Sequence, residues 1–272
     1  MSTRWRELLS CGGLAVGLTL GLSFASTGAV AALANVPFSA EMVKHGPDGA
    51  TTTGRMYVGT DRMRVEMSQQ GRTMVRIVDE GQRTEWILFP EERRYIEHAT
   101  SPTMDDAPMA GADAESPCAD MPGLVCRKLG QETIAGRSAT KWEIGGSHQG
   151  RDFTTTQWID DERGIPLLQE LPNGQTIRLA PVGRETLDGR EVEKWEMVAS
   201  GPNRPESRTF QWYDPELELV IRQEFPGGIV NELRNIVVGE QREELFVVPS
   251  DYTRMTPPPG AMGGPSSGGP MR

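Results

Sequence analysis

Between residues 129 and 228 the chain repeats itself at a spacing of 53 to 54 residues, and this duplication restricts the fold more than any other feature. Leu129-Gly130-Gln131-Glu132-Thr133-Ile134-Ala135-Gly136-Arg137 matches Val182-Gly183-Arg184-Glu185-Thr186-Leu187-Asp188-Gly189-Arg190. Lys141-Trp142-Glu143 matches Lys194-Trp195-Glu196, Trp158-Ile159-Asp160 matches Trp212-Tyr213-Asp214, and Gln169-Glu170-Leu171-Pro172-Asn173-Gly174 matches Gln223-Glu224-Phe225-Pro226-Gly227-Gly228. Each copy reads as a strand, a Gly-containing turn, a Trp-bearing strand, a second Trp strand ending at Asp, and a hairpin whose Pro-Asn-Gly or Pro-Gly-Gly suits primed turns. Two copies are too few for a solenoid, so the units are expected to extend one sheet. Asp160 and Asp214 fall where turn formers belong.

The segment before the repeat has the two-residue period of strands. Arg62-Met63-Arg64-Val65-Glu66-Met67 alternates charge with apolar side chains, placing Met63, Val65 and Met67 on one face of a half-buried strand. Arg55-Met56-Tyr57-Val58 precedes it across Gly59-Thr60-Asp61 and completes a hairpin. Further strands are expected near 38–44, 73–79, 83–89 and 94–98, giving a six-strand antiparallel meander over residues 37–98. No amphipathic helix of about twelve residues occurs after the first 34 positions. The expected fold is therefore all-β, a curled antiparallel sheet forming a half-open barrel with a duplicated strand unit.

The organisation along the chain follows. Residues 1–34 carry Arg4 and Arg6, an apolar stretch from Leu14 to Phe24, and the small residues Ala29-Val30-Ala31 and Ala32-Leu33-Ala34, the pattern of a cleaved signal peptide with cleavage before Asn35. The apolar stretch is shorter than the roughly 20 residues of a membrane span, and Cys11 has no apolar region before it that would suit lipid attachment. Residues 35–98 form the first meander. Residues 99–127 hold Pro102, Pro108, Pro117 and Pro122 with Asp and Glu and read as a long loop. Met104, Met109 and Met121 in this loop either fold over an apolar opening or lie in solvent. Residues 128–255 contain the duplicated Trp-strand units (128–180 and 181–255), and in 256–272 ten of 17 residues are Pro or Gly, a disordered tail. Export favours a bridge between Cys118 and Cys126.

Net charge of −10 with no basic cluster excludes nucleic-acid binding. His45, His98 and His148 lie far apart, and Asp105-Asp106 and Asp160-Asp161-Glu162 lack a calcium-loop continuation, so no metal site is expected. No nucleophile elbow, phosphate loop or dinucleotide fingerprint occurs, and neither catalysis nor a cofactor is expected. A secreted hydrolase using two of the many carboxylates is the weakest alternative. The residues that stand out are apolar instead. Met42, Met56, Met63, Met67 and Met74 cluster in the first meander, and methionine adapts to varied apolar guests, although a methionine-rich strand face is also ordinary core. A large twisted sheet without helices to fill its hollow side leaves room for a cavity. The candidate cavity wall is Met56, Met63, Val65, Met67, Met74, Trp86, Trp142 and Trp158. Trp195 and Trp212 serve as core or wall, and buried indole nitrogens need partners.

Phe38-Ser39-Ala40-Glu41-Met42, Gly54-Arg55-Met56-Tyr57, the Arg62–Met67 run and Trp86-Ile87-Leu88-Phe89-Pro90 resemble the opening strands of the periplasmic LolA/LolB-type lipoprotein-carrier superfamily. The closest resemblance is to a branch in which a cysteine-bearing loop precedes a segment like Leu129–Ile144. The resemblance implies a half-open barrel whose concave apolar face receives acyl chains, with an arginine, here Arg64, holding a lid closed. The chain departs from the carriers in lacking lid helices and in its second Trp unit. Together these readings give a periplasmic, non-enzymatic binding protein for a lipid, lipoprotein acyl chain or other hydrophobic ligand. The alternative is an envelope sensor or protein-interaction module that meets an envelope protein. No membrane span is expected in the mature chain.

Overall fold

The computed structural model describes residues 36–69, 71–99, 116–118, 123–148, 150–202 and 204–256. The signal segment, the tail from 257 onward and the methionines Met104, Met109 and Met121 lie outside the described residues.

Six strands arise where alternation predicts them: β1 (Phe38–His45), β2 (Thr51–Val58), β3 (Arg62–Gln69), β4 (Arg72–Asp79), β5 (Thr84–Phe89) and β6 (Arg94–Ala99). Nine more carry the repeat and its sequel: β7 (Leu124–Ile134), β8 (Arg137–His148), β9 (Arg151–Asp160), β10 (Pro166–Glu170), β11 (Thr176–Leu187), β12 (Arg190–Gly201), β13 (Arg204–Asp214), β14 (Leu219–Phe225) and β15 (Ile229–Val238). A two-residue β16 (Thr253–Arg254) closes the list, and short 3-10 turns occupy Pro90–Glu92 and Glu243–Phe246. No α-helix occurs among the described residues. All strands belong to one curled, unclosed sheet in the order β16-β6-β5-β4-β3-β2-β1-β15-β14-β13-β12-β11-β10-β9-β8-β7. Two antiparallel meanders, β1 to β6 and β7 to β15, are joined where β15 pairs with β1. Only β16 runs parallel to its neighbour.

The duplication is structural as well as sequential. Strands β7 to β10 correspond to β11 to β14, and both units open with a two-residue hairpin whose central residues have positive φ, Ala135-Gly136 (50° and 80°) and Asp188-Gly189 (48° and 80°). That geometry matches the right-handed twist of the strands. A register break falls at the same place in each unit, between Lys128 and Gly130 and between Pro181 and Gly183. The offset grows from 53 to 54 at the β12–β13 tip, where Ala199 faces Ser207 but Gly201 faces Arg204, one extra residue being absorbed by a bulge. The connection at Pro172-Asn173-Gly174 differs from a primed turn. Asn173 uses its side-chain oxygen to accept the Gln175 N–H at 2.9 Å, and only Gly174 takes a positive φ.

The strand face carrying the methionines holds the largest core. Phe38, Ala40, Met42, Met56, Val58, Met63 and Val65 pack there with Val192, Trp212, Leu217, Leu219 and Ile221. A second cluster joins Ala139, Trp158, Leu167 and Trp195 in the repeat. Cys118 is bridged to Cys126 on β7 with 5.8 Å between Cα atoms, which ties residues 116–118 to the sheet edge. Strand β7 begins at Leu124, inside the stretch expected to be loop, because Leu124 and Val125 already pair with Gly146 and Gly145 of β8.

Candidate functional site

Strand β3 has two faces, one bearing the methionines and the other Arg64. On the methionine face, Met56, Met63 and Val65 are 3%, 0% and 1% exposed and belong to the main core. Met67 packs against that core, and its cross-strand partner Met74 is the exposed end of the row. Trp142 is buried on β8 and Trp158 belongs to the repeat's own cluster, far along the sheet from the methionines. Trp86 lies on the opposite face of the first meander. The eight candidate residues therefore divide between two faces and two halves of the sheet.

The opposite, arginine-bearing face of β2 to β6 presents an apolar strip. Tyr57, Ile77 and Trp86 form one row across it, Arg64 standing between Tyr57 and Ile77, and Val75, Leu88 and Tyr95 form the next. Among the described residues no strand covers this strip. A single strap, residues 243–256, lies across it, inserting Leu245, Phe246, Val248 and Tyr252. The sequence supports this placement: Leu245-Phe246-Val247-Val248 is apolar enough to seek burial, and Pro249 stops it from continuing as a strand. Phe246 is 3% exposed, so the strap is seated.

Polar contacts pin it. Arg64 donates from Nη1 to the Leu245 carbonyl at 2.9 Å and from Nε to Glu66 at 2.7 Å. Arg62 pairs with Glu243 at 2.7 Å, and its guanidinium lies 5.3 Å from the Phe246 ring centre. At the far end, the Trp86 indole N–H donates to Glu97 at 3.1 Å, and Glu97 pairs with Arg254 of the strap at 3.2 Å. The Thr253 and Met255 N–H groups donate to the carbonyls of Arg93 and Tyr95.

Beside the strip, on the same face, a hollow of about 600 Å³ opens over β15, β1, β2, β3 and β4. Its floor is polar. Glu41, Arg55 and Glu66 are direct cross-strand neighbours, flanked on one side by Ser39 and Tyr57 and on the other by Thr53, Ser68 and Thr73. Asn235 donates to Glu41 at 3.0 Å from the rim. Tyr57 belongs both to this lining and to the apolar cluster under the strap, so the two regions are continuous. Arg64 and Glu66 form the other junction, one pinning the strap and the other lining the hollow. Sequence reasoning named only Arg64 and Trp86 on this face, because its other apolar residues are contributed largely by β4, β5 and the distant segment 243–256. The charged members of the Arg62–Met67 alternation were the available signal.

The repeated charged groups have a structural duty. Trp158 and Trp212 donate their indole N–H to Glu132 (2.9 Å) and Glu185 (2.7 Å), and Lys141 and Lys194 sit over those rings at 4.5 and 4.6 Å. The indole bond, aided by the lysine, holds each of these carboxyls below the usual range. Asp160 and Asp214, both 1% exposed, bind Arg137 and Arg190 and accept the backbone N–H groups that follow them, forming the turns. Burial pushes Asp160 up, but the Arg137 guanidinium and two backbone N–H groups outweigh it and hold the carboxyl low. Among the described residues no group of three His, Cys, Asp or Glu could hold a metal ion, and no helix is long and apolar enough to cross a membrane.

A family model described as a domain of unknown function, DUF4412, matches residues 40–188. No curated protein matches the chain. Among solved structures it is similar to a LolA superfamily protein from Nitrosomonas europaea, at 13% identity over 81% of this chain and 94% of that one, with a TM-score of 0.35. An uncharacterized conserved protein from Thermus thermophilus is similar at 12% identity, 84% and 94% coverage and a TM-score of 0.31. A hypothetical lipoprotein from Escherichia coli follows at 13% identity, 75% and 88% coverage and a TM-score of 0.31. A LolA superfamily protein, of the kind that the opening strands resemble, is among these structural neighbours.

Proposed function

The chain belongs to the DUF4412 family, a domain of unknown function, and we propose that it is an exported, non-enzymatic binding protein for an amphiphile with an apolar tail. One observation carries this reading: an apolar strip on β2 to β6 is covered by a strap rather than by sheet, and the strap is held through Arg64 and a few exposed ion pairs. Lifting the strap would uncover Tyr57, Val75, Ile77, Trp86 and Leu88 as one surface. An acyl chain placed there would recover the burial that the strap gives up, at about 0.8 kcal/mol per methylene. Its polar end would then face the adjoining hollow. The methionine face supplies the rigid support, since a strip built on a filled core keeps its shape when its cover moves.

The leader-like residues 1–34 and the Cys118–Cys126 bridge support a periplasmic location, where disulfides persist. The test is titration with a fluorescent fatty-acyl probe together with mass spectrometry of co-purifying lipid. Probe uptake by the wild type that rises in Arg64→Leu is expected. Absence of binding in both proteins, with no lipid carried through purification, would refute it.

A further inference from the structure

The floor of the hollow carries alternating charge across three strands. Glu41 of β1, Arg55 of β2 and Glu66 of β3 are successive cross-strand partners, a row of minus, plus and minus, and Arg64 pairs with Glu66 at its border with the strip. Counted with Arg64, the partner of Glu66, the row is balanced in charge, so it attracts neither a phosphate nor an ammonium group as a whole. It does offer acceptors and donors within a side chain's reach of one another. Beside Tyr57 and between Glu66 and Glu41, the Arg55 guanidinium is favoured in its charged form. Hydroxyls stand beside the row: Ser68 and Thr73 lie 3.3 Å apart, with the backbone N–H of Thr73 fixed by Glu91 at 2.8 Å. The carboxyl of Glu91 is held below its usual range by its own and the Thr73 N–H groups. Tyr57 adds the one aromatic ring, at the border with the apolar strip.

A neutral polyhydroxylated ring fits this chemistry better than any ion. Each hydroxyl both donates and accepts, so neighbouring hydroxyls can satisfy a carboxylate and a guanidinium at once, while the C–H face of the ring lies on an aromatic side chain. The volume of about 600 Å³ falls within the range of small-molecule sites. We propose that the hollow is a saccharide site. The same chemistry is offered by a free sugar and by the head group of a glycolipid, and the second source rests on the amphiphile reading above.

The test is calorimetric titration of the purified protein with three probes: maltose, dodecyl maltoside below its micelle concentration, and dodecyl phosphocholine, which shares the tail and lacks the sugar. Maltose should bind, and Glu41→Gln and Arg55→Gln, both solvent-accessible changes outside the core, should weaken it at least tenfold. Dodecyl maltoside should bind at least tenfold more tightly than either of the other two. Maltose binding to which the tail adds nothing supports the sugar site as one for free saccharide and overturns the amphiphile reading. Equal binding of the two dodecyl compounds, indifferent to Arg55→Gln and without maltose binding, overturns the saccharide site while leaving that reading standing. No binding of any probe overturns both.

Discussion

Replacing Arg64 with leucine removes a half-buried polar pin of the strap while leaving an apolar side chain on β3. The Arg64 side chain is 16% exposed, and its bond to the Leu245 carbonyl is 2.9 Å long. A hydrogen bond from a charged donor contributes about 1.5–3 kcal/mol. Its former partner Glu66 is 29% exposed and regains water, which moderates the loss. Of the pins that remain, the ion pairs Arg62–Glu243, Arg93–Asp251 and Arg254–Glu97 each include an exposed group and are worth about 1 kcal/mol or less, and the Thr253 and Met255 backbone bonds hold only the far end. Taking about 2 kcal/mol for the lost bond, the open population of the strap should rise roughly 30-fold. Native-state hydrogen exchange reads this directly, because the Thr253 and Met255 amides are protected only by the Arg93 and Tyr95 carbonyls. Both should exchange roughly 30-fold faster in the variant, while amides of β4, which are paired on both sides in the sheet, keep their rates. Unchanged strap amides would refute the reasoning. So would equal acceleration everywhere, which would make Arg64 a support of the whole fold rather than of the strap.

Met63→Ala should cost about 2–5 kcal/mol in a urea melt, because the side chain is fully buried, whereas Met74→Ala at the open end of the row should cost less than about 1; similar losses at the two positions would contradict the packing described. Arg190→Ala leaves the buried Asp214 carboxyl without its guanidinium partner, and a loss of about 3–5 kcal/mol is expected, with a loss below about 1 showing that the pair is dispensable. Against its burial, Asp160 is held low by Arg137; Asp161 is held low by the Ser138 and Thr140 hydroxyls, and Glu193 by Arg163. Their folded values thus lie below the unfolded ones of about 4. The unfolded chain then binds more protons, so their contribution is complete above about pH 5 and is lost as the pH falls through and below about 4. A urea midpoint that stays constant from pH 6 to pH 3 would exclude that linkage.

Local pattern made the strands legible, because alternation in Arg62–Met67 and the Gly and Asp turns specify period and reversal within a few residues. The repeat was legible for a related reason: each unit carries its own Trp, Glu, Lys, Arg and Asp partners, so both the sequence and the contacts recur. The choice of face was not local. Nothing in Met63 or Val65 tells a cavity wall from a core, since both demand apolar side chains at a two-residue spacing; what decides is whether Trp212, Leu217 and Ile221, some 150 residues away, fill the space. The strap was hidden likewise. Leu245–Val248 reads as an apolar run, but only the approach of β3 makes the Leu245 carbonyl a partner for Arg64, 181 residues distant.

The most direct test is photo-crosslinking with an acyl chain that carries a diazirine near its end, mapped by mass spectrometry. Adducts should concentrate on Tyr57, Ile77 and Trp86 and on Phe246 of the strap, and should increase in Arg64→Leu. Adducts confined to Met67 and Met74 on the other face, or no labelling above that of a denatured control, would contradict the assignment.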